Sequence, residues 1–332
     1  MGGPQGLPLA RGDYSGGSPE SLDRVGWQQD TGNAGCRSFG LQRSAFVGYP
    51  YAPTSDCDFA GTVRFQITGR RSLANIVLRR SGPVGHVVFS NPDKFNAMTA
   101  QMWHDLPAHI AELDADPAIR AIVLSGDGDK AFVSGADISQ FGAERSDALA
   151  QERYGQSVNA AYLAPSLAGK PVIAQIRGIC MGGGLGLAAG CDIRICADDA
   201  RFRMPAGRLG LGYEQAGVRR FVSLIGVQNT HDIFFSARVF DAQEALRMGF
   251  VSSVVPAARL EGAVRELTDA IADNAPLTLK AVKLTVNGFL QHPEQRRSPD
   301  AQSVIDAANA SEDYAEGVRA FAEKRPPRFV GK

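Results

Sequence analysis

From about residue 74 onward the chain alternates short apolar runs with stretches of helical period. Continuous apolar runs at 84–90, 121–125, 172–176 and 193–196 have the length and β-branched content of buried strands. Between them, 100–113 and 148–163 repeat apolar positions every three or four residues, as a helix with one buried face does. A compact small-residue stretch over 183–190 reads as a further short helix. Beyond Gly217 the pattern is mostly helical, with helices expected over 241–248, 260–274, 276–290 and 311–324. Strands interleaved with helices, then a helical final third, predict an α/β fold. No internal repeat is visible.

The stretch before this pattern is different material. Residues 1–62 are rich in Gly, Ser, Pro and Asp and hold neither period, so disorder is expected there. One expectation is that residues 1–70 are an extension ahead of the true start, with an initiator near Val63; a functional tail is the alternative.

The segment with the strongest chemical signal runs from Gly178 to Cys191, Gly-Ile-Cys-Met-Gly-Gly-Gly-Leu-Gly-Leu-Ala-Ala-Gly-Cys, without a charge. A strand, a glycine cluster and then a helix leave free backbone N–H groups at the helix start. With the positive end of the helix dipole, those groups suit an anion or a carbonyl oxygen that becomes one. Close packing alone would also explain the glycines. A dinucleotide site fits less well: Gly184-Leu185-Gly186-Leu187-Ala188-Ala189 matches G-x-G-x-x-A, but the next strand starts too soon for the required helix. The remaining reading, an oxyanion hole, needs a second N–H. Its candidate source is Ala131-Phe132-Val133-Ser134-Gly135-Ala136-Asp137-Ile138, after the run at 121–125 and a Gly-Asp-Gly-Asp turn.

Together these segments resemble the enoyl-CoA hydratase/isomerase (crotonase) family. Ser90-Asn91-Pro92-Asp93-Lys94-Phe95-Asn96-Ala97-Met98 is similar to its N-R-P-x-x-x-N-A-L segment. Arg238 to Gly249 is similar to its G-R-x-x-x-A-x-E-A-x-x-x-G segment, and Glu316-Gly317 with Phe321 to Arg325 to its closing E-G-x-x-A-F-x-E-K-R. The resemblance runs in order from about Asn75 to the C-terminus. It implies a spiral of ββα turns over 71–257, then a helical region over 258–332 that builds homotrimers or dimers of trimers. It also implies an acyl-CoA thioester as substrate, with coenzyme A part of the substrate and no separate cofactor. Backbone N–H groups of Ser134 and Gly183 are expected to hold the thioester oxygen. Lys94, Phe95, Ala97, Gly135, Ala136, Asp137, Ile138 and Lys283 are expected to contact the CoA portion, Lys283 through its phosphates.

Two departures bear on the reaction. Family hydratases carry glutamates where this chain has Gly186 and Ala206, and neither residue can hold a proton. Glu214 stands where some relatives, the dienoyl-CoA isomerases and 4-chlorobenzoyl-CoA dehalogenase, have a working aspartate. A single carboxylate there suits double-bond isomerisation better than hydration. A solvated loop glutamate is its alternative, as are a non-catalytic CoA-binding scaffold, or a hydrolase or decarboxylase, for the whole protein.

Composition narrows the setting. The 332 residues carry 35 Lys+Arg against 35 Asp+Glu, which gives no case for nucleic acid or an anionic membrane. The five cysteines form no C-x-x-C pair, which suits reduced thiols in cytoplasm. No cluster has metal-ligand spacing, so no metal is expected. No apolar run is long enough for a membrane span, and no signal-peptide pattern appears.

Overall fold

The computed structural model describes residues 74–137, 139, 147–213, 215–290 and 301–332. Stretch 1–70, Ile138 and Glu214 therefore lie outside the described residues, as do Cys36 and Cys57. The chain opens with an antiparallel pair, β1 (Asn75–Ser81) and β2 (Val84–Ser90). Thr99 then caps α1 (Ala100–Ala115), its hydroxyl accepting the Met102 N–H at 3.2 Å. Met102, Trp103, Leu106, Ile110 and Leu113 form the buried stripe of α1, as the 3.6-residue period requires.

From there the chain winds in a repeated motif. Each turn places one longer strand in a first sheet and one short strand in a second. β3 (Ala121–Gly126) is followed by β4 (Ala131–Val133), β5 (Val172–Ile176) by β6 (Ile179–Met181), and β7 (Ile193–Ala197) by β8 (Arg201–Arg203). Between the turns lie α2 (Ala148–Leu167) and α3 (Gly183–Gly190). A long helical stretch, α4 (Gln215–Ser236), is broken at Gly226. It leads to β9 (Val239–Asp241), α5 (Ala242–Met248) and β10 (Ser253–Val255). The six-stranded sheet has the order β1-β2-β3-β5-β7-β10, parallel except for its first pair. The four-stranded sheet has the order β4-β6-β8-β9, with only its last pair antiparallel. This is the α/β spiral expected, and its central strands are buried on both faces, as parallel strands are.

The final third is helical: α6 (Leu260–Ala272), α7 (Pro276–Leu290), α8 (Ala301–Asn309) and α9 (Glu312–Ala322). Arg238 locks the end of α4 to α5, donating to Asp232 at 3.1 Å and to Glu244 at 2.8 Å. Cys180, Cys191 and Cys196 are buried free thiols, and burial raises the pKa of each. Among the described residues no helix is long and apolar enough to cross a membrane.

Lys283 takes a different place from the one expected. Its side chain is only 7% exposed, and its ammonium donates to the carbonyls of Pro165 at 2.7 Å and Lys170 at 2.8 Å. It also sits 2.7 Å from Asp192 Oδ2. An ammonium has three N–H donors, and all are engaged. Lys283 therefore rivets α7 to the end of α2 and to the α3–β7 turn, and it is not an arm for CoA phosphates.

Candidate functional site

The site forms where the first sheet's crossovers deliver two loops to one place. The first loop follows β2. Asn96, 1% exposed, donates through Nδ2 to the carbonyls of Asp127 at 3.0 Å and Ala131 at 2.8 Å. Asn91 donates to the Ala97 carbonyl at 2.8 Å. These two buried amides fix 91–97 against β4, with Phe95 and Asn96 held at positive φ. Lys94 and Phe95 lie on the rim; the Phe95 ring is 45% exposed, whereas Ala97 is buried.

The second loop continues β4. Ser134 N–H donates to the Phe95 carbonyl at 3.1 Å, and Asp137 N–H to the Met98 carbonyl at 2.8 Å. Met98 N–H in turn donates to the Gly135 carbonyl at 2.8 Å, so Met98 and Ala136 face each other as a parallel bridge. In that pairing Ala136 turns its own N–H to the edge away from Met98. Ala136 is partly exposed and its N–H has no acceptor among the described residues. The expectation for Ser134 is thereby corrected. Its N–H is already donated to Phe95, and the available N–H in this loop is that of Ala136.

Asp137 accepts Lys94 Nζ at 2.7 Å and Ser139 Oγ at 2.7 Å. Burial pushes its pKa up, but the Lys94 ammonium and the Ser139 bonds outweigh that and hold the carboxyl below its ordinary value. Asp137 thus ties the loop down as an anion.

Opposite stands the start of α3. Gly182, at φ 50°, turns the chain from β6 into the helix, and its N–H donates to Arg203. Gly183, Gly184 and Leu185 follow as the first helical residues, whose N–H groups lack intrahelical acceptors. A Cβ on Gly135 would lie 3.8 Å from Gly183 N, so the 135–136 turn stands directly over that amide. Among the described residues neither the Ala136 nor the Gly183 N–H has an acceptor, and the two lie on neighbouring segments from different turns of the spiral, at the positive end of a helix.

One face of α3 is packed by aromatic rings. A Cβ on Gly183 would stand 2.9 Å from Trp103 Cζ2 and 3.4 Å from the Tyr162 hydroxyl. One turn along, a Cβ on Gly186 would meet the Tyr213 hydroxyl at 2.5 Å and Tyr162 Cζ at 2.8 Å. Trp103 and Tyr162 meet edge to face at 5.7 Å, and Tyr162 stacks on Tyr213 at 6.4 Å. Burial lifts both phenols, Tyr213 to about 12 and Tyr162 well above the ordinary tyrosine value. Tyr162, Gly186 and Tyr213 border a cavity of about 240 Å³, walled further by Leu163, Phe221 and Leu290. Neither Trp103 nor Tyr162 stands out in the sequence. Their only signal is large aromatic residues on helices, which the core equally demands.

Residues 79–332 match the family model described as "Enoyl-CoA hydratase/isomerase". A short-chain-enoyl-CoA hydratase of Clostridium acetobutylicum is 32% identical over 253 residues, covering 76% of this chain and 96% of that protein. A carnitinyl-CoA dehydratase of Proteus mirabilis is 32% identical, covering 77% of this chain and 98% of its own. Among solved structures, an enoyl-CoA hydratase/carnithine racemase from Magnetospirillum magneticum aligns with a TM-score of 0.73 at 31% identity, covering 79% of this chain and 97% of that one.

Proposed function

The chain belongs to the enoyl-CoA hydratase/isomerase family, and from that premise we propose that it polarises an enoyl-CoA thioester between the N–H groups of Ala136 and Gly183. The observation that carries this reading is the pair of unpaired amides brought together from β4 and α3. Donors fixed by the backbone stabilise charge as it develops on the thioester oxygen, and losing one costs about 3 kcal/mol in comparable holes. The rim of Lys94 and Phe95 supports CoA contact there, with buried Ala97, Gly135 and Asp137 behind it. Exposed Val282, Val286 and Phe289 on α7 support burial of the helical region against further copies in a homotrimer.

The reaction favoured is double-bond isomerisation. Glu214 takes a proton from C2 of a 3-enoyl thioester, the resulting charge rests on the oxygen held by Ala136 and Gly183, and the same carboxyl returns the proton to C4. Hydration is the second reading, favoured by the names of the hydratase and dehydratase relatives. The test is the purified full chain with 3-enoyl-CoA and crotonyl-CoA, followed by absorbance of the conjugated product. Glu214→Gln is expected to lower isomerisation about a hundredfold or more. An unchanged rate removes Glu214 from the mechanism, and silence of the wild type with thioester binding intact favours the scaffold alternative.

Gly186→Glu offers a second check. The added Cβ meets Tyr213 and Tyr162, so the carboxylate cannot be seated without displacing both rings. Crotonyl-CoA hydration by this variant is expected to stay at or below the wild-type rate. A tenfold gain would show that the pocket accepts a carboxylate there.

A further inference from the structure

Two arginines sit at the end of α3 farthest from Gly183. Arg194 is 6% exposed, and Arg220 is partly buried beside it. Both donate to main-chain carbonyls. Arg194 reaches Cys191 at 2.7 Å and Ala188 at 3.4 Å through Nη1, and Phe250 through Nε. Arg220 reaches Ala189 at 2.7 Å through Nε and Cys191 at 3.1 Å through Nη2. Ala188, Ala189 and Cys191 close α3, where carbonyls without an intrahelical N–H form the negative pole of the helix.

A neutral amide would satisfy those carbonyls at a smaller desolvation cost than a guanidinium. Among the described residues no carboxylate hydrogen-bonds either arginine, and burial lowers the pKa of both, that of Arg194 to about 10. Both therefore stay charged at neutral pH. The acid beside them, Asp192, is already matched by the Lys283 ammonium at 2.7 Å. This end of α3 thus holds surplus positive charge.

That surplus matters because α3 is short. Eight residues rise only about 12 Å, so the negative pole lies close enough to Gly183 to oppose the positive one. Leu185, Leu187, Ala188 and Ala189, all buried, separate the two ends, so solvent does little to screen one from the other. At an effective dielectric near 20, a unit charge about 12 Å away favours a new negative charge by about tenfold.

We propose that Arg194 and Arg220 are positioning residues for the oxyanion hole that act through α3: their charges cancel its negative pole, so that the Gly183 N–H holds the charge developing on the thioester oxygen more strongly. The inference rests on the thioester reading above and adds to it two residues remote from the reacting atoms.

The test compares Arg220→Gln, which keeps a donor for the carbonyls without the charge, with Arg220→Lys, which keeps the charge. Arg220→Met, which keeps the packing of the stem, is a second neutral variant. One readout is kcat and KM of the full chain with a thioester that it turns over. The other is the infrared carbonyl stretch of bound butyryl-CoA, labelled with 13C at the carbonyl, which reports the field on that oxygen and not fold stability. Arg220→Gln is expected to lower kcat about tenfold with KM within about twofold, and to move the bound stretch to higher frequency. Arg220→Lys should recover kcat to within about threefold and restore the wild-type frequency. The same substitutions at Arg194 repeat the comparison at the more buried charge. An unmoved stretch in the neutral variants, or kcat within twofold of wild type, overturns the inference. So does a loss in Arg220→Lys equal to that in Arg220→Gln, which makes the residue a helix cap alone. In each of these cases a lowered stretch on binding to wild type leaves the oxyanion reading standing. No lowering on binding to wild type overturns that reading, and this inference with it.

Discussion

Gly184→Ala is expected to cost this protein about a hundredfold in turnover together with several kcal/mol of stability. The new Cβ would fall inside the van der Waals radius of the Val133 carbonyl oxygen and lie 2.8 Å from its carbonyl carbon. The Cβ is fixed by its own backbone and the nearest obstructing atoms are backbone, so no side-chain rotation relieves the clash, and α3 must lift away from β4. Overpacking of this kind costs about 1–3 kcal/mol or more. The catalytic consequence is larger, because Ala136 extends from β4 and Gly183 begins α3. Parting those elements pulls the two N–H groups off a common oxygen, and a displacement of about 1 Å can cost roughly a hundredfold in rate. The measurement is kcat with the best thioester substrate, beside a thermal melt. Gly155→Ala is the control: its Cβ meets nothing within 4 Å, and replacing a helical glycine is expected to stabilise by about 0.5–1 kcal/mol. Similar kcat in the two variants would detach the α3–β4 contact from catalysis.

Lys283→Met is expected to lower stability by about 3–5 kcal/mol, the range for breaking one side of a buried ion pair. Asp192 would keep its bond from the Val172 N–H at 2.7 Å but lose its cation, and the Pro165 and Lys170 carbonyls would lose their donor. Urea unfolding reads the loss directly. Affinity for CoA thioesters, measured well below the unfolding transition, should stay within about twofold, because the ammonium has no free N–H to offer a phosphate. A stable variant with much weaker thioester binding would restore the phosphate role.

The contrast between these residues explains what was legible in the sequence. The strands over Val84–Ser90 and Val172–Ile176 coincide with apolar runs because both faces of a parallel strand are buried. The second sheet left no such trace: β4, β6, β8 and β9 span three residues each, too few to show a period. The loops of the oxyanion hole were recognisable as motifs. Which N–H in the first loop is available was not, because that depends on pairing with Phe95 and Met98, residues distant in sequence. Lys283 failed for the same reason. Nothing near it in sequence marks the burial of a lysine against Asp192, and a helix lysine is ordinarily a surface residue. Tyr213 belongs to no motif in the sequence, yet its ring fills the space that Gly186 opens.

The interlock of Gly186 and Tyr213 also constrains how this sequence can change over generations. Glutamate cannot enter at 186 while tyrosine occupies 213, since the two would claim the same volume. Removing the tyrosine first hollows out a ring cluster that includes Phe221 and Phe234, and emptying such a core site costs about 3–5 kcal/mol. That is a large part of the 5–15 kcal/mol by which a typical domain is stable. Either single step is therefore penalised, and Tyr162, 2.8 Å from the same Cβ, crowds the double exchange as well. A lineage with this pair is held in its present chemistry by packing, whatever selection asks of its substrate, until some other mutation first supplies spare stability.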